Sequence, residues 1–274
     1  MKRVAVIGCG WFGLPLAKSL LANGIDVVGT KTTAAGVQLL NEAGIDGALL
    51  TLGDDNCAFQ LRQILTDVDA LVVNIPPGLR RGERDYLDKL QLLAEPIRDS
   101  KLRLVVYVSS TGAYQQTEGR LTEDDLVAVD DDGSAAILQH AEQMMQSLAT
   151  DARRVVTVRF AGLVGAGRNP GRFLAGKTGL AGGSHLVNLI HIEDCIAGVT
   201  AVLRSQYSSH VYNLVSPAHP RKDQFYAQAA EMLGLPAPQF SATSIGEGKV
   251  VLGDRICSEL DFDYQYRDAK SLLA

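Results

Sequence analysis

The chain has 274 residues and a mass of 29.3 kDa, with 26 Lys and Arg against 31 Asp and Glu, a formal net charge of −5. At 46% hydrophobic and 21% charged residues it has enough apolar surface for a sizeable core in one large or two small domains, which excludes disordered and fibrous classes. Its mildly acidic balance, with a sequence pI near 5.5, gives no basis for binding nucleic acid or an anionic membrane through overall charge.

In chain order, short apolar or β-branched runs alternate with longer amphipathic ones. Strands are expected over residues 3–7, 26–29, 48–52, 70–75 and 103–109, with helices over 11–23, 34–43, 57–65 and 82–99 between them. Strands that are apolar throughout and separated by helices indicate a parallel sheet covered on both faces. Right-handed crossovers make it a Rossmann-type, doubly wound α/β sheet whose ligands fall outside the carboxyl ends of the strands. Beyond residue 109 the pattern loosens into a polar, turn-rich stretch ending in Asp130, Asp131 and Asp132, read as a solvated helix start. A helix over 135–148 and a sixth strand over 154–160 follow. Residues 161–183, rich in Gly, Arg and Pro, are too long for a simple connection and so form a candidate functional loop. A strand over 185–190, a helix over 193–204, a strand over 210–214 and a helix over 222–233 complete the pattern. The division expected is a nucleotide domain over 1–165 with a return near 185–215, and a small C-terminal α/β substrate cap from 166–184 and 216–274.

Cys9, Cys57, Cys195 and Cys257 show neither metal-pair spacing nor the density of a disulfide scaffold, so they read as reduced thiols of a cytoplasmic protein. The first residues imitate a secretory signal, but Gly8 and Gly10 break the apolar run too early, and no stretch has the length of a membrane span. Five histidines without paired spacing suggest no metal site.

The strongest motif is Gly8-Cys9-Gly10-Trp11-Phe12-Gly13, directly after the first strand and opening a helix. Gly8 suits the tight turn, Gly10 lets backbone approach a pyrophosphate, and Gly13 lets the helix pack on the strand. The helix start then faces the anion. The exit of the second strand reads Thr30-Lys31-Thr32, with no acid to hold the ribose diol of NAD. A cation among hydroxyls suits the 2′-phosphate of NADP, which is expected over NAD.

These residues, with VVYVSSTGAY after the fifth strand, VRFAGLVGAGRNPG after the sixth, VNLIHIEDCIAGV and HVYNLVSP, resemble the extended or atypical short-chain dehydrogenase/reductases, in particular a bacterial NAD(P)-dependent epimerase/dehydratase-like branch. The resemblance covers nearly the whole chain. It implies an oxidoreductase or epimerase/dehydratase acting on a small polar substrate, such as a nucleotide sugar, and dimers through helices flanking the sheet edge. It also places Ser109 and the turn Asn74-Ile75-Pro76 beside the cofactor, and Ser110 with Thr111 at the reacting carbonyl. Arg168 and Arg172 would lie on the loop over the substrate, suited to a phosphate or carboxylate. His191 is a weaker substrate-site candidate.

One departure is sharp. The family's acid/base is a Tyr four residues before a Lys, whose ammonium lowers the phenol's pKa. Aligned on Glu142, those positions hold Ser134 and Leu138, so the dyad is expected to be missing. Tyr114 is the substitute proton donor to test. The alternative is a catalytically inactive NADP(H)-binding sensor or regulatory protein.

Overall fold

The computed structural model describes residues 1–78, 82, 84–129, 133–206, 208–241 and 246–273; Asp130, Asp131 and Asp132 lie outside them. The chain runs β1 (Arg3–Ile7), α1 (Gly13–Ala22), β2 (Asp26–Lys31), α2 (Ala34–Glu42), β3 (Asp46–Leu49), α3 (Cys57–Ile64), β4 (Ala70–Val73), α4 (Tyr86–Asp99) and β5 (Leu104–Ser110). There follow β6 (Gly119–Leu121), α5 (Ser134–Gln146), β7 (Arg154–Phe160), β8 (Gly162–Val164), α6 (Gly171–Leu174), β9 (Leu189–His191), α7 (Ile192–Arg204), β10 (Val211–Leu214), α8 (Lys222–Glu231), β11 (Lys249–Val251) and α9 (Asp254–Leu260).

Seven strands form one sheet in the order β10-β7-β5-β4-β1-β2-β3. β1 pairs in parallel with β2 on one side and β4 on the other, so the chain winds outward from β1 and then crosses back. The switch point, where a doubly wound sheet opens its ligand crevice, therefore lies at the carboxyl ends of β1 and β4. Four of the five β1 residues and all of β4 are buried, as strands covered on both faces must be. On one face a continuous core joins Leu61 of α3, Leu90 and Leu93 of α4, and Ala141 and Met145 of α5 to Val73 and Val105.

Arg153 ties the ends of two helices to this sheet. Its buried guanidinium donates to the carbonyls of Ser100 (3.0 Å), Leu102 (3.2 Å), Leu148 (3.3 Å) and Arg98 (3.4 Å). These are carbonyls at the carboxyl ends of α4 and α5 and in the turn after α4, where the helix dipoles favour a cation.

The contacts divide the chain into two compact units: 1–113 with 128–158 and 199–211, and 114–127 with 159–198 and 212–274. This differs from the expected cap at 114–127, 159–165, 185–198 and 212–215. Residues 114–127 join the second unit because β6 pairs with β11, about 130 positions later. All of 185–198 also belongs there, because β9 pairs with β8 rather than with the large sheet. A small core of Val164, Leu189, Phe225, Ala229, Leu272 and Leu273 lies within this unit. α6 and α8 touch so closely that a Cβ at Gly171 would stand 2.1 Å from the Ala229 carbonyl oxygen. Among the described residues no helix is long and apolar enough to cross a membrane.

Candidate functional site

The glycine turn follows β1 at the switch point, and its three glycines meet three different surroundings. Gly8 has φ +96°, and a Cβ there would lie 2.2 Å from the Asn74 carbonyl oxygen. At Gly13 a Cβ would lie 2.3 Å from the Gly8 carbonyl oxygen, so the start of α1 packs directly on the turn. At Gly10 a Cβ would meet nothing within 4 Å. Two glycines are thus required by the protein's own backbone, while the third faces open space. That pattern fits a surface kept clear for a ligand.

Neighbouring side chains hold the turn. The Thr30 hydroxyl accepts the Gly8 N–H at 3.0 Å, the Thr30 carbonyl accepts the Cys9 N–H at 3.1 Å, and the Asn74 amide donates to the Gly8 carbonyl at 2.9 Å. Thr30 and Asn74, expected at the cofactor, therefore act on the turn itself. Phe12 is buried and packs inward, whereas Trp11 is half-buried. Cys9 is buried within the turn, and desolvation pushes its thiol up to about 11.

Beside the turn lies a cavity of about 310 Å³ lined by Ile7, Gly8, Thr30, Lys31, Thr32, Leu50, Thr51, Leu52, Ile75, Pro76 and Lys89. It gathers the expected Lys31, Thr32, Ile75 and Pro76. It also adds residues 50–52 and Lys89, which sequence reasoning missed. Periodicity places residues 50–52 within a strand, but β3 ends at Leu49 and releases them to the crevice. The rule that strand ends line the crevice was enough to find them. No sequence signal marks Lys89. The described lining contains no Asp or Glu.

At the end of β5, Ser110 is half-buried and its Oγ accepts the Gly112 N–H at 3.1 Å, which leaves the serine O–H to donate. Thr111 begins the short 3₁₀ turn that follows. Ser109 turns inward instead, donating at 2.6 Å to the buried Glu142 carboxylate of α5. α5 carries Leu138 where the family's Lys would stand, and this leucine is 5% exposed. Its Cδ1 stands 3.3 Å from the position a Cβ on Gly112 would take, beside Ser110. Ser134 opens the helix and is exposed. The Tyr-x-x-x-Lys spacing does occur once in the chain, at Tyr266 and Lys270, but in a non-helical stretch where four-residue spacing does not bring the two side chains onto one face.

Tyr114 falls in the second unit and is fully buried. Its hydroxyl faces the Thr122 carbonyl and Asn213 Oδ1, each at 2.9 Å, and accepts from the buried Arg159 at 2.8 Å. Burial raises its pKa despite the guanidinium. This is a structural anchor, and the geometry corrects the expectation that Tyr114 could stand in as proton donor. His191, in the same unit, is 6% exposed and stacked on Tyr266 with ring centroids 3.5 Å apart. Its Nδ1 accepts the Glu193 N–H at 3.3 Å, and burial lowers its pKa, so it is a satisfied neutral histidine rather than a substrate contact. Arg168 and Arg172 are exposed in the segment joining β8 to α6 and in α6 itself.

The strand order and glycine turn define a Rossmann-type α/β fold. No protein-family model matches the sequence. The chain is 41% identical over 272 residues to Protein YeeZ of Escherichia coli strain K12, covering 98% of this chain and 97% of that protein, and it belongs to the YeeZ family. Among solved structures it is similar to a functionally unknown conserved protein from Silicibacter pomeroyi, at 23% identity and a TM-score of 0.74 over 100% of this chain and 97% of the other. MoeE5 in complex with UDP-glucose and NAD shares the fold at 19% identity and a TM-score of 0.77, over 98% and 96%. So does UDP-glucuronic acid 4-epimerase from Bacillus cereus in complex with UDP-glucuronic acid and NAD, at 18% identity and a TM-score of 0.75, over 96% and 94%.

Proposed function

We propose that this chain binds NADP(H) at the glycine turn and acts as an oxidoreductase or epimerase/dehydratase-like protein on a small polar substrate of the nucleotide-sugar kind. One observation carries the cofactor assignment: Gly10 faces open space while Gly8 and Gly13 are closed by backbone, beside a cavity at the end of β2. Lys31 and Thr32 line that cavity without a described carboxylate, which favours a 2′-phosphate over a free ribose diol. MoeE5 and the B. cereus epimerase were solved with NAD, so this preference would set the chain apart from them.

When bound, such a cofactor supplies or takes a hydride. The protein's part is to hold a carbonyl or hydroxyl against Ser110, whose O–H is available to polarise it, with Thr111 alongside. Arg168 and Arg172 suit a phosphate or carboxylate on the substrate. A cytoplasmic homodimer with reduced cysteines belongs to the same reading. Leu138 in place of the lysine removes a group that contributes about 10²–10⁴-fold to rate by acid–base catalysis, and this favours a second reading as an NADP(H)-binding sensor.

Fluorescence titration tests the cofactor. NADPH should bind more tightly than NADH, and Lys31→Ala should weaken NADPH by about tenfold, or 1.4 kcal/mol, with NADH little changed. Equal binding of the two by the wild type overturns the preference. For chemistry, single-turnover hydride transfer to a panel of carbonyl compounds should be measurable and should fall in Ser110→Ala. Silence across the panel with tight NADPH binding selects the sensor.

A further inference from the structure

Two lysines from different elements face the same apolar slot. Lys31 ends β2 and Lys89 lies in the first turn of α4, and both line the cavity beside the glycine turn. A cation in the first turn of a helix opposes the helix dipole, so Lys89 is poorly placed for α4 itself. Asp85, just before the helix, meets its Nζ at 2.9 Å. That pair is partly solvated, with side-chain exposures of 28% for Lys89 and 56% for Asp85, and an ion pair in such a setting contributes little. Ile7, Leu50, Leu52, Ile75 and Pro76 give the slot apolar walls suited to a purine.

We infer that Lys89 is the second cation of a 2′-phosphoadenosine site, meeting from α4 the phosphate that Lys31 meets from β2. The inference rests on the NADP(H) reading above and adds to it a specificity-determining residue. Asp85 is one counter-ion that Lys89 exchanges for the phosphate, so it competes with the ligand.

Isothermal titration of the full-length protein with adenosine 2′,5′-bisphosphate and with adenosine 5′-monophosphate tests this without involving the nicotinamide half. Wild type should prefer the bisphosphate by more than about tenfold. Lys89→Ala should cut that preference by about five- to tenfold and leave 5′-monophosphate binding within about twofold. Lys89→Gln, which keeps the side-chain bulk, provides the same comparison should the alanine variant fail to fold. Asp85→Asn should strengthen bisphosphate binding by about two- to threefold. Lys89 variants that keep the wild-type preference overturn the role of Lys89 while leaving Lys31 and the cofactor reading standing. A wild type that does not distinguish the two nucleotides removes the cofactor reading and this inference with it. Weaker bisphosphate binding by Asp85→Asn contradicts the exchange of counter-ions.

Discussion

His191 shows how a residue's surroundings decide its chemistry. A histidine beside acidic neighbours invites a proton-shuttle role, but this one is buried, stacked on Tyr266 and kept neutral, with its pKa held below the ordinary 6.5. The unfolded chain takes up a proton as pH falls through about 6.5, and the folded chain resists it, so stability is lost between that pH and the lower folded pKa. His219 is shifted in the same direction by burial. The melting temperature of His191→Phe, which keeps a ring against Tyr266, should therefore fall less than that of the wild type between pH 7 and 5. Parallel melting curves over that range contradict the burial argument. Ser109 belongs to the interior in the same way. Ser109→Ala removes a 2.6 Å donor from the buried Glu142 and should lower stability by about 1–3 kcal/mol in urea unfolding, against little change for Thr111→Ala. Sequence placed Ser109 and Ser110 side by side. Strand alternation sends one to the α5 carboxylate and leaves the other half-buried beside Gly112.

At the scale of elements, apolar periodicity marked almost every strand and helix of the first unit, because the central strands bury unbroken runs and the helices bury one apolar face. β1 and β7 match their expected bounds, and the helices fall within a few residues of theirs. β6 and β11 escaped because three residues, one of them glycine or lysine, carry no period, and their partners are far apart in sequence. The helix ends depend on a residue that periodicity does not reveal. Arg153 supplies hydrogen bonds to four buried or half-buried carbonyls around α4, α5 and the turn that precedes β5. Arg153→Met keeps the apolar stem but strands those acceptors, and should cost about 2–5 kcal/mol. Hydrogen exchange should show the loss at the carboxyl ends of α4 and α5. Unchanged protection there would remove the tie assigned to this side chain.

For the whole molecule, a mildly acidic overall charge leaves room for local cationic sites. The cavity beside the glycine turn has two lysines on a chain of net charge −5. The motif, the switch point and Lys31 were legible because they lie within one strand–turn–helix segment and the next strand's exit. The cavity's other wall was legible only in part, since the end of β3 points to residues 50–52 whereas Lys89 meets the cavity only once α4 is packed. The division of units was misjudged for the same reason, because pairing between β6 and β11 is a tertiary event. A ligand of the folded chain should stabilise it by about 2.7 kcal/mol at one hundred times its Kd, so NADPH should raise the melting temperature of the wild type more than NADH does at equal concentration.

Gly10→Ala gives the most direct test of the glycine turn as a dinucleotide site. A methyl at that position meets nothing within 4 Å of protein, whereas at Gly8 it meets backbone at 2.2 Å. Calorimetric titration of Gly10→Ala with NADPH should show binding lost or weakened by at least about tenfold, while its melting temperature without ligand stays within a few degrees of the wild type. Wild-type NADPH affinity in a folded Gly10→Ala protein would contradict the assignment of this turn to a dinucleotide.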